Sequence, residues 1–297
     1  MGYLFVAISV LSGATKGYCG KMTSGYVEKY NDAMFINIIR MSICVIIGFL
    51  MLLAQGSVGL LAIDAKTLAI TALSGVTTSL FVVFWLISVK RGAYMMLDVF
   101  LMMGVIVTLL CSKFTFGEDI KGTQWIGLLI LLAAVFIMCS YSSSIKEKMT
   151  PVSLALLIAT GVANGLTDFS QKLYVHYGIN DNAAVFNFYT YVFSALTLLV
   201  FYLIFKFKNK EEAREGEVLK KIFLYVLVMS VCLFLNSFFK TKAAGLLPAT
   251  QVYPLFQGCA LILSSIMSAV FFKEKLTPKC IIGLVLAFIA LLIINLL

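Results

Sequence analysis

Ten stretches of roughly twenty apolar residues, joined by short connections, dominate this chain and leave it few ways to fold. They run over about 3–20, 33–54, 67–88, 93–112, 123–140, 152–172, 184–205, 222–239, 249–271 and 279–296. About 20 such residues carry an α-helix across a bilayer, where every backbone N–H and C=O must find a partner inside the protein. The alternation that would mark β-barrel strands is missing. The content of 61% hydrophobic and 12% charged residues, with a mean hydropathy of +1.01, lies far from the roughly 25% charged residues of a soluble domain. The expected fold class is an all-α integral membrane protein with ten transmembrane helices and little mass outside the membrane. The first stretch lacks a basic start and a small-residue cleavage pattern, and it carries Lys16. It therefore reads as a retained span and not as a signal peptide.

An internal repeat narrows the choice further. FGEDIKGTQWIGLLIL begins at Phe116 and FKEKLTPKCIIGLVLA at Phe272, so Glu118 aligns with Glu274 and Gly127 with Gly283 at a shift of 156 residues. Earlier in each half the shift is 151, and Lys21, Tyr26, Asn31 and Phe35 meet Lys172, Tyr177, Asn182 and Phe186. GATKG at 13–17 and GVANG at 161–165 are both GxxxG. The chain thus divides into 1–145 and 146–297, five spans each, around the linker SYSSSIKEKMTP (140–151). Five is odd, so the second copy enters the membrane from the opposite face. Two inverted five-helix repeats are a plan used by secondary transporters, with the binding site near the midplane between the halves.

On these features the chain resembles the drug/metabolite transporter superfamily, specifically its ten-span EamA-like members. The resemblance covers nearly the whole chain. It rests on the paired five-span halves, the glycine-rich first span followed by Arg40, and the Phe-x-Glu turn repeated before spans five and ten. It implies transport of amino acids, metabolites, nucleotide sugars or drugs, with spans five and ten peripheral. ATQVYPLFQG around Pro254 looks like the family's proline-bearing helix. Its first-half counterpart at a shift of 156 is Asp98, where the family more often has proline. The first half is therefore expected to lack that kink and to carry an acid instead.

Ionisable residues inside a membrane are costly and usually face the bundle interior or a wet cavity. Lys16, Arg40, Asp98 and Asp168 are the four placed well inside spans. Ser9, Ser12, Gly13, Lys16 and Gly20 form one helical stripe; Gly161, Asn164, Gly165, Asp168 and Lys172 form another. Gly13, Gly17, Gly161 and Gly165 permit close helix approach. One reading has spans one and six packed together with Lys16 and Asp168 as a static pair; the other points both charges at cargo. Asp98, on one face with Tyr94, could take a proton, pair with Lys16, hold a cationic group of the cargo, or merely link two helices. Arg40 reads as structural, tied to carbonyls or a carboxylate, with facing an anionic substrate as the alternative, and Pro254 as a structural kink. Gln251, Gln257 and Asn236 are the uncharged candidates for orienting a polar ligand, and Trp85 and Tyr94 for stacking on it.

Several classes are excluded. The chain has one histidine, His176, no HExxH and no G-x-x-x-x-G-K-[ST], so neither an enzyme nor an ATP-driven pump is expected. No cofactor or metal is expected, since the seven cysteines show no CxxC spacing and read as small packing residues. The net charge of +9 lies mostly in loops, where the positive-inside effect places it, so nucleic acid is not expected as a partner. Lys and Arg favour the odd-numbered connections, which puts both termini outside; the family resemblance implies cytoplasmic termini instead, and the charge count is followed because it sits in short loops. KFKNKEEAREGEVLKK (206–221) reads as a solvated loop. The expected function is secondary active transport of a small polar or amphipathic metabolite, such as an amino acid, by alternating access at the cell membrane. Proton coupling would run through Asp98 or Asp168. A cationic drug exporter is the alternative, and a lipid flippase a more distant one. Partners are the substrate, protons and the bilayer; a monomer suffices, and a homodimer is compatible.

Overall fold

A computed structural model describes residues 1–91, 94–139, 150–209, 215–273 and 278–296. Within these, some side chains, including those of Tyr94 and Asp98, lie outside the described residues. The described residues form ten α-helices: α1 Gly2–Ser24, α2 Tyr30–Ala54, α3 Ala65–Arg91, α4 Tyr94–Phe116, α5 Gly122–Cys139, α6 Pro151–Tyr177, α7 Ala183–Asn209, α8 Glu215–Leu246, α9 Ala249–Val270 and α10 Pro278–Leu296. A single 3-10 turn, Val58–Leu61, accompanies them.

Helix starts follow from local chemistry. Asp32 draws the N–H groups of Glu28 and Lys29 onto its Oδ2 at 2.9 and 3.1 Å, closing the first turn of α2. Asp64 accepts from the Thr67 N–H at 3.1 Å ahead of α3. Thr150 accepts from the Ser153 N–H ahead of Pro151, which opens α6 with its preset φ. The segment 206–221 departs from its expected solvated loop. Helix α7 runs on to Asn209 and α8 begins at Glu215, since Lys and Glu are good helix formers outside the membrane as well as within it.

Among the described residues, six helices are long and apolar enough to cross a membrane: α2, α3, α6, α7, α8 and α9. The described parts of α4, α5 and α10 supply shorter apolar runs, Phe100–Phe116, Gly122–Ala134 and Ile281–Ile294. Large apolar side chains such as Leu50, Leu129, Phe136, Leu224 and Val270 stand more than half exposed on the outer surface. A water-soluble protein does not tolerate so broad an apolar coat; hydrocarbon does.

The packing respects the duplication. Helix α1 packs on α8, and its counterpart α6 on α3; α4 packs on α6, and α9 on α1; α3 meets α7, and α8 meets α2. Three further principal contacts join helices to their own counterparts: α2 with α7, α4 with α9, α5 with α10. Counterparts run antiparallel. Phe35, early in α2, lies 6.0 Å from Tyr202, late in α7, while Phe49 lies 6.3 Å from Phe188. Likewise Gln124 at the start of α5 donates to the Ile294 carbonyl at the end of α10, at 3.3 Å. Helices α5 and α10 pair chiefly with each other at the edge of the bundle, as the family resemblance implies.

Candidate functional site

A cavity of about 70 Å³ lies at the seam between the halves, walled by α1, α3, α4, α6, α7, α8 and α9. Gly13, Lys16 and Gly17 face it from α1; Thr78, Phe81 and Trp85 from α3; Asn164, Thr167 and Gln171 from α6. Asn236 and Lys240 face it from α8, and Phe256, Gln257 and Ser264 from α9. The lining therefore combines aromatic rings with amides, hydroxyls and two ammonium groups.

Behind this lining, the Asp168 carboxylate is 1% exposed and takes the Lys240 ammonium at 2.5 Å. A charge so deeply buried needs a counter-ion, because desolvating it alone is prohibitive. The ammonium has three N–H donors. One reaches Asp168 Oδ1, and the same nitrogen stands 4.5 Å from the centre of the Phe256 ring. The other carboxylate oxygen, Oδ2, has no hydrogen-bond partner. Tyr253 fixes the local backbone by donating its hydroxyl to the Asp168 carbonyl at 2.7 Å.

Around this pair several polar atoms are left available. Asn164 Nδ2, Gln171 Oε1 and Thr78 Oγ1 are buried without a protein partner, and all three residues line the cavity. Buried polar groups normally find partners, so these atoms suit cargo or the water it displaces. Other cavity residues are held in place. Asn236 and Ser9 exchange reciprocal bonds: Ser9 Oγ donates to the Asn236 carbonyl at 2.7 Å, and Asn236 Nδ2 to the Ser9 carbonyl at 2.8 Å. Trp85 enters the space over Gly20, where a side chain of any size would meet its ring. Lys16 stands 5.6 Å from the centre of the Phe81 ring.

The structure gathers Lys16, Gln257, Asn236 and Trp85 on one cavity with Gly13 and Gly17, and sets Asp168 just behind it. Gln251 lies elsewhere, accepting from the Tyr3 hydroxyl at 3.3 Å near the start of α9. The side chains of Asp98 and Tyr94 lie outside the described residues, although both belong to α4. Arg40 is 1% exposed in α2 and donates to Asn37 Oδ1 at 2.5 Å. That holds it within its own helix, while Asn37 reaches the Val82 carbonyl of α3 at 3.3 Å.

Two expectations change. Spans one and six are not close neighbours: α1 packs on α8 and α9, α6 on α3 and α4. Gly161 and Gly165 abut Gly104 of α4, and Asp168 bonds Lys240, not Lys16. Lys240 is not among the expected site residues, because the expected span eight, 222–239, stops one residue short of it. Helix α8 continues to Leu246, so the charge lies inside it. The available signal was Asp168 itself, since a buried acid calls for a cation on a facing helix.

The sequence model of the EamA-like transporter family matches residues 1–140 and again 151–296. No curated protein matches the chain in sequence. A solved structure titled only "Crystal structure of protein" has the same fold, with a TM-score of 0.68 at 16% identity, covering 99% of this chain and 96% of that one.

Proposed function

Because the chain belongs to the EamA-like transporter family, we propose that this multi-pass membrane protein is a secondary active transporter of a small polar or amphipathic metabolite, with an amino acid as the favoured class. All ten helices cross the cell membrane as two inverted repeats, 1–145 and 146–297, and the seam cavity is the cargo site. The observation that carries this reading is the lining itself. Apolar helices have no reason to bring Lys16, Lys240, Asn164, Gln171, Asn236 and Gln257 to one seam unless something polar passes there. Both signs of charge are present and suit a zwitterion, while the two lysines weigh against a purely cationic drug. Phe81, Trp85 and Phe256 offer faces to an apolar portion.

The cavity of about 70 Å³ is well below the roughly 300 Å³ at which ligand pockets begin. The conformation is contracted, and cargo enters when the helices of the two halves rearrange, as alternating access requires. Purified protein screened against amino acids and other small metabolites should gain thermal stability with its cargo. The same compound should accumulate in proteoliposomes, and uptake should fall at least tenfold in Gln257→Ala. If no amino acid or related metabolite stabilises or is carried, the proposal fails.

A further inference from the structure

We propose that Lys240 is a carboxylate receptor shared between Asp168 and the cargo, so that each cargo carboxylate carries one proton with it. This rests on the transporter reading and names its coupling chemistry. Lys240 is the member of the buried pair that lines the cavity, and Asp168 lies behind it. The ammonium has one bond to Asp168 Oδ1, with Phe256 beneath it, so a carboxylate entering the cavity meets a cation with donors to offer. The support of Asp168 comes chiefly from Lys240, because its Oδ2 is unpartnered in a setting that is 1% exposed.

When the ammonium turns to the cargo, Asp168 cannot remain a lone buried anion. A proton from the aqueous phase bonds to one carboxylate oxygen, and no bond in the cargo breaks. Before binding, the site holds one ammonium and one carboxylate. Afterwards it holds the ammonium, the cargo carboxylate and a neutral acid. Net charge entering with cargo carboxylate and proton is zero, so the step is electroneutral for the carboxylate. The groups facing Asp168 are Lys240 from α8, Tyr253 from α9 and, across the cavity, Lys16 from α1. Helix α3 presents Thr77 and Thr78, Thr77 accepting from Thr167 at 3.1 Å. Helix α4 carries Asp98, whose side chain lies outside the described residues.

The test uses L-leucine, isocaproate and isoamylamine, which share a side chain but carry both charged groups, the carboxylate alone or the amine alone. Purified full-length protein in weak buffer should take up about one proton per bound leucine or isocaproate, and isoamylamine should neither bind nor draw a proton. The apparent Kd should rise about tenfold per pH unit between about pH 6 and pH 8, and lose that slope in Asp168→Asn. A second measurement needs no cargo. Lys240→Met should show a protonated-carboxyl C=O band in the infrared that is absent from the wild type and from Lys240→Met/Asp168→Asn. Leucine binding without proton uptake, equal binding of isoamylamine, or a missing band overturns this proposal and leaves the transporter reading standing. If none of the three probes binds, the amino-acid reading falls, and this proposal with it.

Discussion

The α4–α6 and α9–α1 contacts are equivalent under the duplication, yet they are built differently. Between α4 and α6 the backbones touch. Gly104 faces Gly161 and Gly165 so closely that a methyl on any of the three would overlap a main-chain carbonyl of the other helix. Thr108 seals the contact by donating to the Gly165 carbonyl at 2.9 Å. Between α1 and α9 the cavity intervenes, and a methyl added at Gly13 would lie 3.7 Å from the Phe256 ring of α9 and 2.9 Å from the Asn236 amide of α8. One interface is a backbone seam that cannot yield by rotating a side chain; the other meets movable side chains. A duplicated fold therefore does not impose duplicated packing.

The difference breaks down if matched substitutions have matched effects. Gly165→Ala should be the most damaging, lowering stability by about 3 kcal/mol, because two backbones must part. Gly13→Ala should cost less, about 1–2 kcal/mol, since the Asn236 amide must shift and loosen its bond to the Ser9 carbonyl, while no backbone has to move. Thermal unfolding in one detergent checks both, and equal losses would erase the distinction. Next comes the tie at the end of the α4–α6 side. Lys172 meets Glu118 at 3.2 Å and the carbonyls of Ala244 and Leu247 at 3.4 and 3.3 Å, while Glu118 accepts from the Ala249 N–H at 3.3 Å. The repeated Phe-x-Glu turn thus clamps α6, α8 and the start of α9 together. Lys172→Met should lose about 1–2 kcal/mol, with the ionic part shrinking at high salt because the pair is partly exposed.

Thr108→Val keeps the shape and removes one interhelical bond, for about 1 kcal/mol. The smallest effect lies outside the membrane. Hydrogen bonds from Thr67 hold the Asp64 carboxyl below its ordinary range. Its contribution is therefore present above the unfolded carboxylate range, near about pH 4, and is lost as pH falls through the lower folded value. Asp64→Ala should flatten that acid limb of the melting temperature and leave neutral pH nearly unchanged.

Much of this was legible in one dimension. Lys16, Asn236 and Gln257 were recognisable as inward-facing because polarity inside an apolar run is rare and costly. Helical spacing then shows which neighbours share a face. Lys240 was not legible, since a lysine near the end of an apolar run looks the same whether the helix stops or continues. Gln251 misled for a related reason. It shares a helix with Gln257 but lies near its start, by Tyr3, and helical spacing does not say how deep along the helix a cavity reaches.

By itself, the sequence determined that this chain lives in a membrane, that it is two copies of a five-helix unit, and that a few buried polar groups face inward. Those properties depend on local composition and spacing, which read directly from the residues. Only the tertiary structure decided that Asp168 answers to Lys240, that the second GxxxG seats α4 and not α1, and which of two equivalent contacts is closed. Such choices depend on which distant helices meet and at what height. That is set by the summed packing of the bundle, which no stretch of sequence carries alone.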